Sequence, residues 1–290
     1  LHLRQDNFEP EVQPMNRNTR FSMVALLAAT AAACVTSPTG RRQLALVSED
    51  SAIVASEEAY AMQIGELRKE GKIVPESSRV ARRVEEITER LVAQAVEKRP
   101  ATADWDWTIE VIEEPEEVNA WCMAGGRMAV YTGLIQKLDP TDDELAQVLG
   151  HEISHALANH TAERMSVAVA ANAGVLLAGV LSEDSQRAMS TAALAAALAV
   201  QMPNSRAAES EADEIGIELA AKAGYNPNAA ISLWEKMANV SGGGPPQFLS
   251  THPSPSNRQE RLAELAPQMM AYYEQARRNA PTRSVARASR

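Results

Sequence analysis

The chain has 290 residues, 45% of them hydrophobic and 23% charged, and 38 acidic against 28 basic side chains give a net charge of −10. This is the composition of a globular protein of one or two domains, and with no compact Lys/Arg cluster interleaved with aromatics it speaks against nucleic acid as a partner. Two cysteines, Cys34 and Cys122, cannot build a disulfide framework, and 4% aromatic residues argues against a lectin-like or base-stacking surface.

Arg17 and Arg20 precede an uncharged run, Phe21 to Ala33, that ends in Ala31-Ala32-Ala33-Cys34, the charged, apolar, small-residue order of a bacterial export signal. Residues 1–33 are therefore set apart from the fold, and Met15 is a candidate start that would make residues 1–14 non-native. The small residues before Cys34 resemble a lipobox, so Cys34 is the expected lipidation site, and a lipid there would tether the chain to a membrane surface. The same Ala-x-Ala order serves ordinary signal cleavage, which would leave a soluble periplasmic chain. Val35 after the cysteine resembles the outer-membrane sorting pattern of bacterial lipoproteins, which sets the expected location at the periplasmic face of that membrane.

Residues 34–50 read as a tether, turn-forming and polar from Thr36 to Arg42. Ser51 to Arg99 carries apolar residues at helical spacing and predicts two amphipathic helices separated near Gly71 to Pro75. Trp105 to Ile112 alternates with period two and predicts a half-buried strand, after which Gly125-Gly126 turns the chain into a second apolar run, Met128 to Tyr131. Asp142 to Arg164 predicts a helix capped by Thr141 or Asp142, with Leu145, Val148, Leu149 and Ile153 on its apolar stripe. Met165 to Ser182 and Ala188 to Ser205 are charge-free, alanine-rich runs that suit a close-packed helical hairpin better than two membrane spans. Helices are predicted over Ala207 to Ala223, Asn228 to Ala238 and Asn257 to Tyr273, with a flexible loop at Gly242 to Pro246. The expected fold is a mostly helical α+β domain over residues 51–270 with a small sheet, followed by a basic, disordered tail at 271–290.

His151-Glu152-Ile153-Ser154-His155 is an H-E-x-x-H pattern inside a predicted helix. At about 100° per residue the two histidines share one face a turn apart, so both imidazoles can reach the same zinc ion, while Glu152 can address a metal-held water without becoming a ligand. Such a zinc supplies Lewis acidity to the water and to a substrate carbonyl, and Glu152 is the general base. A catalytic zinc needs a third protein ligand and an open position. His160 is nine residues from His151, about 900° around the predicted helix, which puts it on the opposite face as a structural or surface histidine. Glu209 and Asp213 share a helix face at i,i+4, so one carboxylate can bind the metal while the other orients an imidazole.

His151–His155, Glu209–Asp213 preceded by Ser205-Arg206, Asn119-Ala120 and Gly125-Gly126 ahead of Val130-Tyr131-Thr132-Gly133-Leu134, and Thr251-His252-Pro253 with Arg258 together resemble the gluzincin metallopeptidases of the CAAX-prenyl-protease and HtpX family. Thr39-Gly40-Arg41-Arg42-Gln43-Leu44 is similar to its periplasmic lipoprotein branch, typified by LoiP and by the protease domain of BepA. The resemblance implies a zincin-like fold, one zinc per chain on His151, His155 and Glu209, Glu152 as base, and Asp213 and Arg258 behind the ligands. It also implies that His252 faces the metal, either assisting catalysis or latching the open position, and that Gly125, Gly126, Arg127, Met128, Ala129, Val130 and Tyr131 form the edge to which an extended substrate adds. Ala124 stands where the family usually has proline before the two glycines. The function so implied is a zinc metalloendopeptidase of envelope quality control, with unfolded or misassembled proteins as substrates and outer-membrane assembly machinery as a partner. The alternatives are a membrane-tethered chaperone or assembly factor with a latched or structural zinc, and a prenyl-protein or intramembrane peptidase if the alanine-rich hairpin spans lipid.

Overall fold

The computed structural model describes residues 34–171, 203–240, 247–253 and 257–279. The predicted export signal, most of the alanine-rich hairpin, the Gly242–Pro246 loop and the end of the tail lie outside the described residues. The described elements are β1 (Cys34–Thr36), β2 (Arg42–Leu44), α1 (Glu49–Lys69), α2 (Arg79–Lys98), a 3-10 turn (Pro100–Asp104), β3 (Thr108–Ile112), β4 (Ala120–Cys122), β5 (Arg127–Tyr131), α3 (Thr132–Leu138), α4 (Asp142–Leu157), α5 (His160–Ala171), α6 (Arg206–Lys222), α7 (Ala229–Asn239), α8 (Gln247–Thr251) and α9 (Arg258–Asn279). The mostly helical α+β class is as expected.

Helix starts follow local chemistry. Ser48, Ser78 and Ser205 each accept a hydrogen bond from the main-chain N–H three residues on and cap α1, α2 and α6. Thr141 and Glu144 form a reciprocal capping box on α4. Glu144 also accepts from Lys236 Nζ and Ser232 Oγ, both at 2.7 Å, which joins the start of α4 to α7.

The tether residues form an antiparallel β1–β2 hairpin, Cys34 opposite Leu44, with Gly40 in the left-handed region at its turn (φ 91°). The predicted strand at Trp105 begins instead at Thr108, because Pro100 starts a 3-10 turn and the Trp107 indole N–H is drawn back to the Thr102 carbonyl at 2.9 Å. The last helix runs past Tyr273 to Asn279, into the predicted tail. Arg277 donates to the Tyr273 hydroxyl at 3.0 Å, and basic residues favour the negative end of a helix.

The sheet order is β3–β5–β4. β5 runs parallel to β3, with Thr108 opposite Arg127, and antiparallel to β4, with Ala120 opposite Val130. This corrects the expected substrate edge: Arg127, Met128, Ala129, Val130 and Tyr131 form the central strand, whose main-chain groups are spent on both neighbours, and Gly125 and Gly126 form the β4–β5 turn (φ 86° and 87°). The outer strands are β3, partly covered by the Ile73–Val74 segment, and β4. Met128 and Val130 face the core with α2 and α4, whereas Ala129 and Tyr131 face α1, where Tyr60 and Ile64 pack.

α4 is the hub, buried at every residue from Glu144 to Leu157. It crosses α6 at Gly150 and Gly216, where a β-carbon on Gly216 would sit 2.9 Å from the His151 main-chain nitrogen. That close approach brings Glu209, two turns before Gly216, up to the face of α4 that carries the histidines. The predicted helix to Arg164 is broken, because Ala158 ends α4 and Asn159 adopts the left-handed conformation (φ 56°) before α5 starts. Asparagine tolerates that region better than most residues, and its carbonyl accepts from Glu163 N–H at 3.0 Å to begin the next helix.

Candidate metal centre

His151 and His155, one turn apart on α4, place their Nε2 atoms 3.1 Å from each other. Glu209, in the first turn of α6, puts Oε2 3.3 Å from His151 Nε2 and Oε1 3.4 Å from His155 Nε2. His252 follows α8 and brings Nδ1 to 3.0 Å from Glu209 Oε1 and 3.4 Å from His151 Nε2. Its ring stacks on Phe248 at 4.4 Å, and Phe248 is itself held by its N–H donating to the Val118 carbonyl.

All four side chains are buried, and Glu209 is fully enclosed. Donors bonded to one zinc at about 2.0–2.1 Å in tetrahedral geometry stand about 3.3 Å apart, the spacing found here. Two imidazole Nε2 atoms and a carboxylate aimed at one point repel through their lone pairs unless a cation sits between them. Among the described residues the one fixed cation beside the Glu209 carboxylate is the Arg258 guanidinium, 3.4 Å from Oε2 and outside the point where the ring nitrogens converge. The residues therefore fit a zinc ion, the cofactor of this protein.

The ionisation of Glu209 and His155 agrees, whereas His151 must give up a proton to ligate. Burial works to raise the Glu209 carboxyl, and His155, His151 and His252 outweigh it, holding the group ionised far below the usual carboxylate range. Burial pushes His155 well below its ordinary value, which leaves the ring neutral and able to ligate. For His151 burial acts downward, but Asp213 and Glu209 prevail and raise it to about 9. Asp213 is its outer support, with Oδ1 3.0 Å from His151 Nδ1, and Arg258 donates to that oxygen at 2.5 Å while lying 3.4 Å over the Trp234 ring. Of the two carboxylates at i,i+4, Glu209 faces the Nε2 atoms and Asp213 stands behind one ring.

Glu152 projects into a cleft of about 510 Å³ lined by Asn119, Ala120, Cys122, Met123, Arg164 and His252 among others. Its Oε1 is buried without a hydrogen-bond partner among the described residues, the nearest ring nitrogen being His252 Nε2 at 3.5 Å. Burial raises its pKa. A raised carboxylate with an unused oxygen beside a metal site is suited to take a proton from water. Cys122 is buried in the same wall and its thiol is pushed well up by burial, which makes it inert packing.

His160 departs from expectation. The break at Asn159 resets the helical phase, so its ring is buried behind His155, with Nδ1 2.7 Å from His155 Nδ1, and is not on an opposite face. Cys34 lies half-buried in β1. Sequence reasoning missed Asn204, whose side chain links Arg164 to His252, and Glu211, which meets His160. Glu211 could have been found from its place two residues after Glu209, about 200° around α6, had the Asn159 break been anticipated.

Two histidines a turn apart, a glutamate from a second helix and an unspent carboxylate in a strand-edged cleft define a zinc metallopeptidase. Residues 78–266 match Peptidase family M48, and the chain belongs to that family. It is 38% identical to mitochondrial metalloendopeptidase OMA1 of Arabidopsis thaliana over 54% of this chain and 31% of the relative. It is also 30% identical to metalloprotease YcaL of Escherichia coli over 51% of this chain and 58% of the relative. The beta-barrel assembly-enhancing protease of Yersinia pestis is 32% identical over 53% of this chain and 33% of the relative. The chain thus spans less than two thirds of each relative's own length.

Proposed function

We propose that this protein is an endopeptidase of the LoiP-type lipoprotein branch that cuts unfolded or misassembled proteins of the bacterial envelope, held at the periplasmic face of the outer membrane by a lipid on Cys34. The observation that carries the peptidase reading is the unpartnered Glu152 oxygen in a cleft walled by β4, His155 and His252, beside the convergence of His151, His155 and Glu209. An extended peptide adds to β4. Met123 N–H bonds Arg127 and Tyr131 N–H bonds Asn119, so the alternation of an antiparallel ladder directs the main-chain groups of Ala120 and Cys122 outward, where the Ala120 N–H is held by the Asn119 side chain at 3.0 Å until a peptide replaces it. Main-chain pairing reads little side-chain identity, which suits unfolded clients.

Zinc, when bound by His151, His155 and Glu209, supplies Lewis acidity to water and to the scissile carbonyl. Glu152 accepts the water's proton on its unspent oxygen and returns it to the leaving amine. His252, once its Nδ1 leaves the ligand cluster, is the side chain in reach to donate a hydrogen bond to the developing oxyanion. The envelope role is supported by the name of the Yersinia pestis relative, a beta-barrel assembly-enhancing protease. A mitochondrial relative matches comparably, so the compartment rests on the Arg17-to-Cys34 order. Among the described residues no helix is long and apolar enough to cross a membrane.

The second reading, a chaperone or assembly factor with a latched site, draws on His252 Nδ1 standing 3.0 Å from Glu209. Casein digestion separates the two. Chelator-sensitive cleavage that falls by about 10³-fold or more in Glu152→Gln, as loss of the proton acceptor requires, supports the peptidase. Equal cleavage by that variant refutes the assignment, and an inert wild type activated by His252→Ala favours the latch.

A further inference from the structure

Thr39, Arg41 and Glu211 belong neither to the ligand cluster nor to the cleft lining, yet their hydrogen bonds end on His155. Glu209 and Glu211 point in opposed directions from α6, the first to the ligand atoms and the second to α5 and the β1–β2 hairpin. Glu211 Oε2 is 3.1 Å from His160 Nε2. Thr39 Oγ1 donates to Glu211 Oε1 at 2.7 Å, and Arg41 Nε donates to Oε2 at 2.6 Å. The other two Arg41 nitrogens grip both oxygens of Glu163, at 2.7 and 2.6 Å. Gln43 donates to the Ala158 carbonyl at 2.7 Å, which fastens the hairpin to the end of α4.

Only one arrangement of hydrogens satisfies this chain. With Nε2 of His155 turned to the metal, the ring's hydrogen is on Nδ1 and is donated to His160 Nδ1 at 2.7 Å. His160 then carries its own hydrogen on Nε2 and donates it to Glu211, leaving Glu211 as the ionised acceptor that Thr39 and Arg41 require. Every donor has an acceptor, and the His160 and Glu211 side chains are 0% and 2% exposed, so water cannot replace either. An outer partner of this kind fixes a ligand imidazole's tautomer and orientation and raises its basicity.

We propose that Glu211, held by Thr39 and Arg41 of the N-terminal hairpin, orients the zinc ligand His155 through His160, so that docking of residues 34–44 sets how tightly the metal is retained. These are positioning residues, since none reaches the cleft that receives substrate. The inference rests on His155 being a zinc ligand, and its test keeps the two ideas apart.

Zinc affinity of the full chain is measured by competition with a chromophoric chelator, with circular dichroism and thermal unfolding of the apoprotein recorded alongside. Glu211→Gln is expected to weaken zinc by about 10-fold or more, and Thr39→Val and Arg41→Gln by about 3-fold to 10-fold. Because Arg41 acts through Glu211, the Arg41→Gln/Glu211→Gln pair should lose no more than Glu211→Gln alone. A folded Glu211→Gln chain with wild-type affinity, or fully additive losses, overturns the proposal. Should Glu211→Gln fail to fold, Thr39→Val decides, and unchanged zinc affinity in that variant is the overturning result. If His155→Ala retains one tightly held zinc, the ligand assignment falls instead.

Discussion

The two imidazoles of the α4 site are one turn apart and chemically identical, yet the protein supports them in different ways. His151 gives its Nδ1 side directly to Asp213, which Arg258 braces from α9. His155 gives its Nδ1 side to a second imidazole, His160, and meets a carboxylate, Glu211, only one step further out. The reason is position along α4. His151 lies beside the α6 crossing at Gly150 and Gly216, where a carboxylate on the neighbouring helix is within reach, while His155 lies near the end of α4, where the chain breaks at Asn159 and folds its own next histidine underneath. Both outer carboxylates thus come from α6, Asp213 braced by Arg258 of α9 and Glu211 braced by Thr39 and Arg41 of the N-terminal hairpin.

The comparison can be broken in graded ways. Removing the carboxylate common to both arms should have the largest effect: Glu209→Gln is expected to lose stoichiometric zinc, a drop of about 100-fold or more in affinity, and a metal analysis showing one zinc per chain would contradict it. Next comes Asp213→Asn, which removes a direct carboxylate partner and should weaken zinc by about 10-fold to 100-fold, more than Glu211→Gln does; a reversed order in chelator competition would make the relayed arm the dominant one.

Gly216→Ala attacks the crossing that places Glu209. With main chain at 2.9 Å the helices must part, so a loss of about 1–3 kcal/mol in urea unfolding is expected, together with weaker zinc binding; zinc retention at wild-type strength would detach the crossing from the site. The smallest effect is a control. Burial works to raise the Glu144 carboxyl, and Lys236, the Thr141 N–H and Ser232 outweigh it, so its folded pKa is lowered. Its stabilisation is therefore present above the ordinary carboxylate pKa and lost as pH falls through the lowered folded value. Glu144→Gln should cost about 1 kcal/mol at neutral pH, the difference from wild type should close below about pH 4, and zinc affinity should not change.

How much of this was legible in advance follows from the range of the forces. Helical periodicity, a cap at Thr141 or Asp142 and the i,i+4 spacing of His151 with His155 depend on neighbours a turn away, so the chain's local chemistry announces them, as the Thr141 cap and the helices on either side of Gly71 illustrate. That Glu209 and Asp213 share a face was equally local. Which of them meets the imidazole Nε2 atoms was decided by how α6 crosses α4 at two glycines. Strand order was long-range too: β5 reads only as an apolar run, and the pairing of β3 and β4 on its two sides is what makes it the central strand and leaves Ala120–Cys122 outside. A single left-handed asparagine re-aimed His160 into the site, because one backbone torsion resets the phase of everything after it, and its stability depends on Arg99 and Glu49 held nearby by other elements.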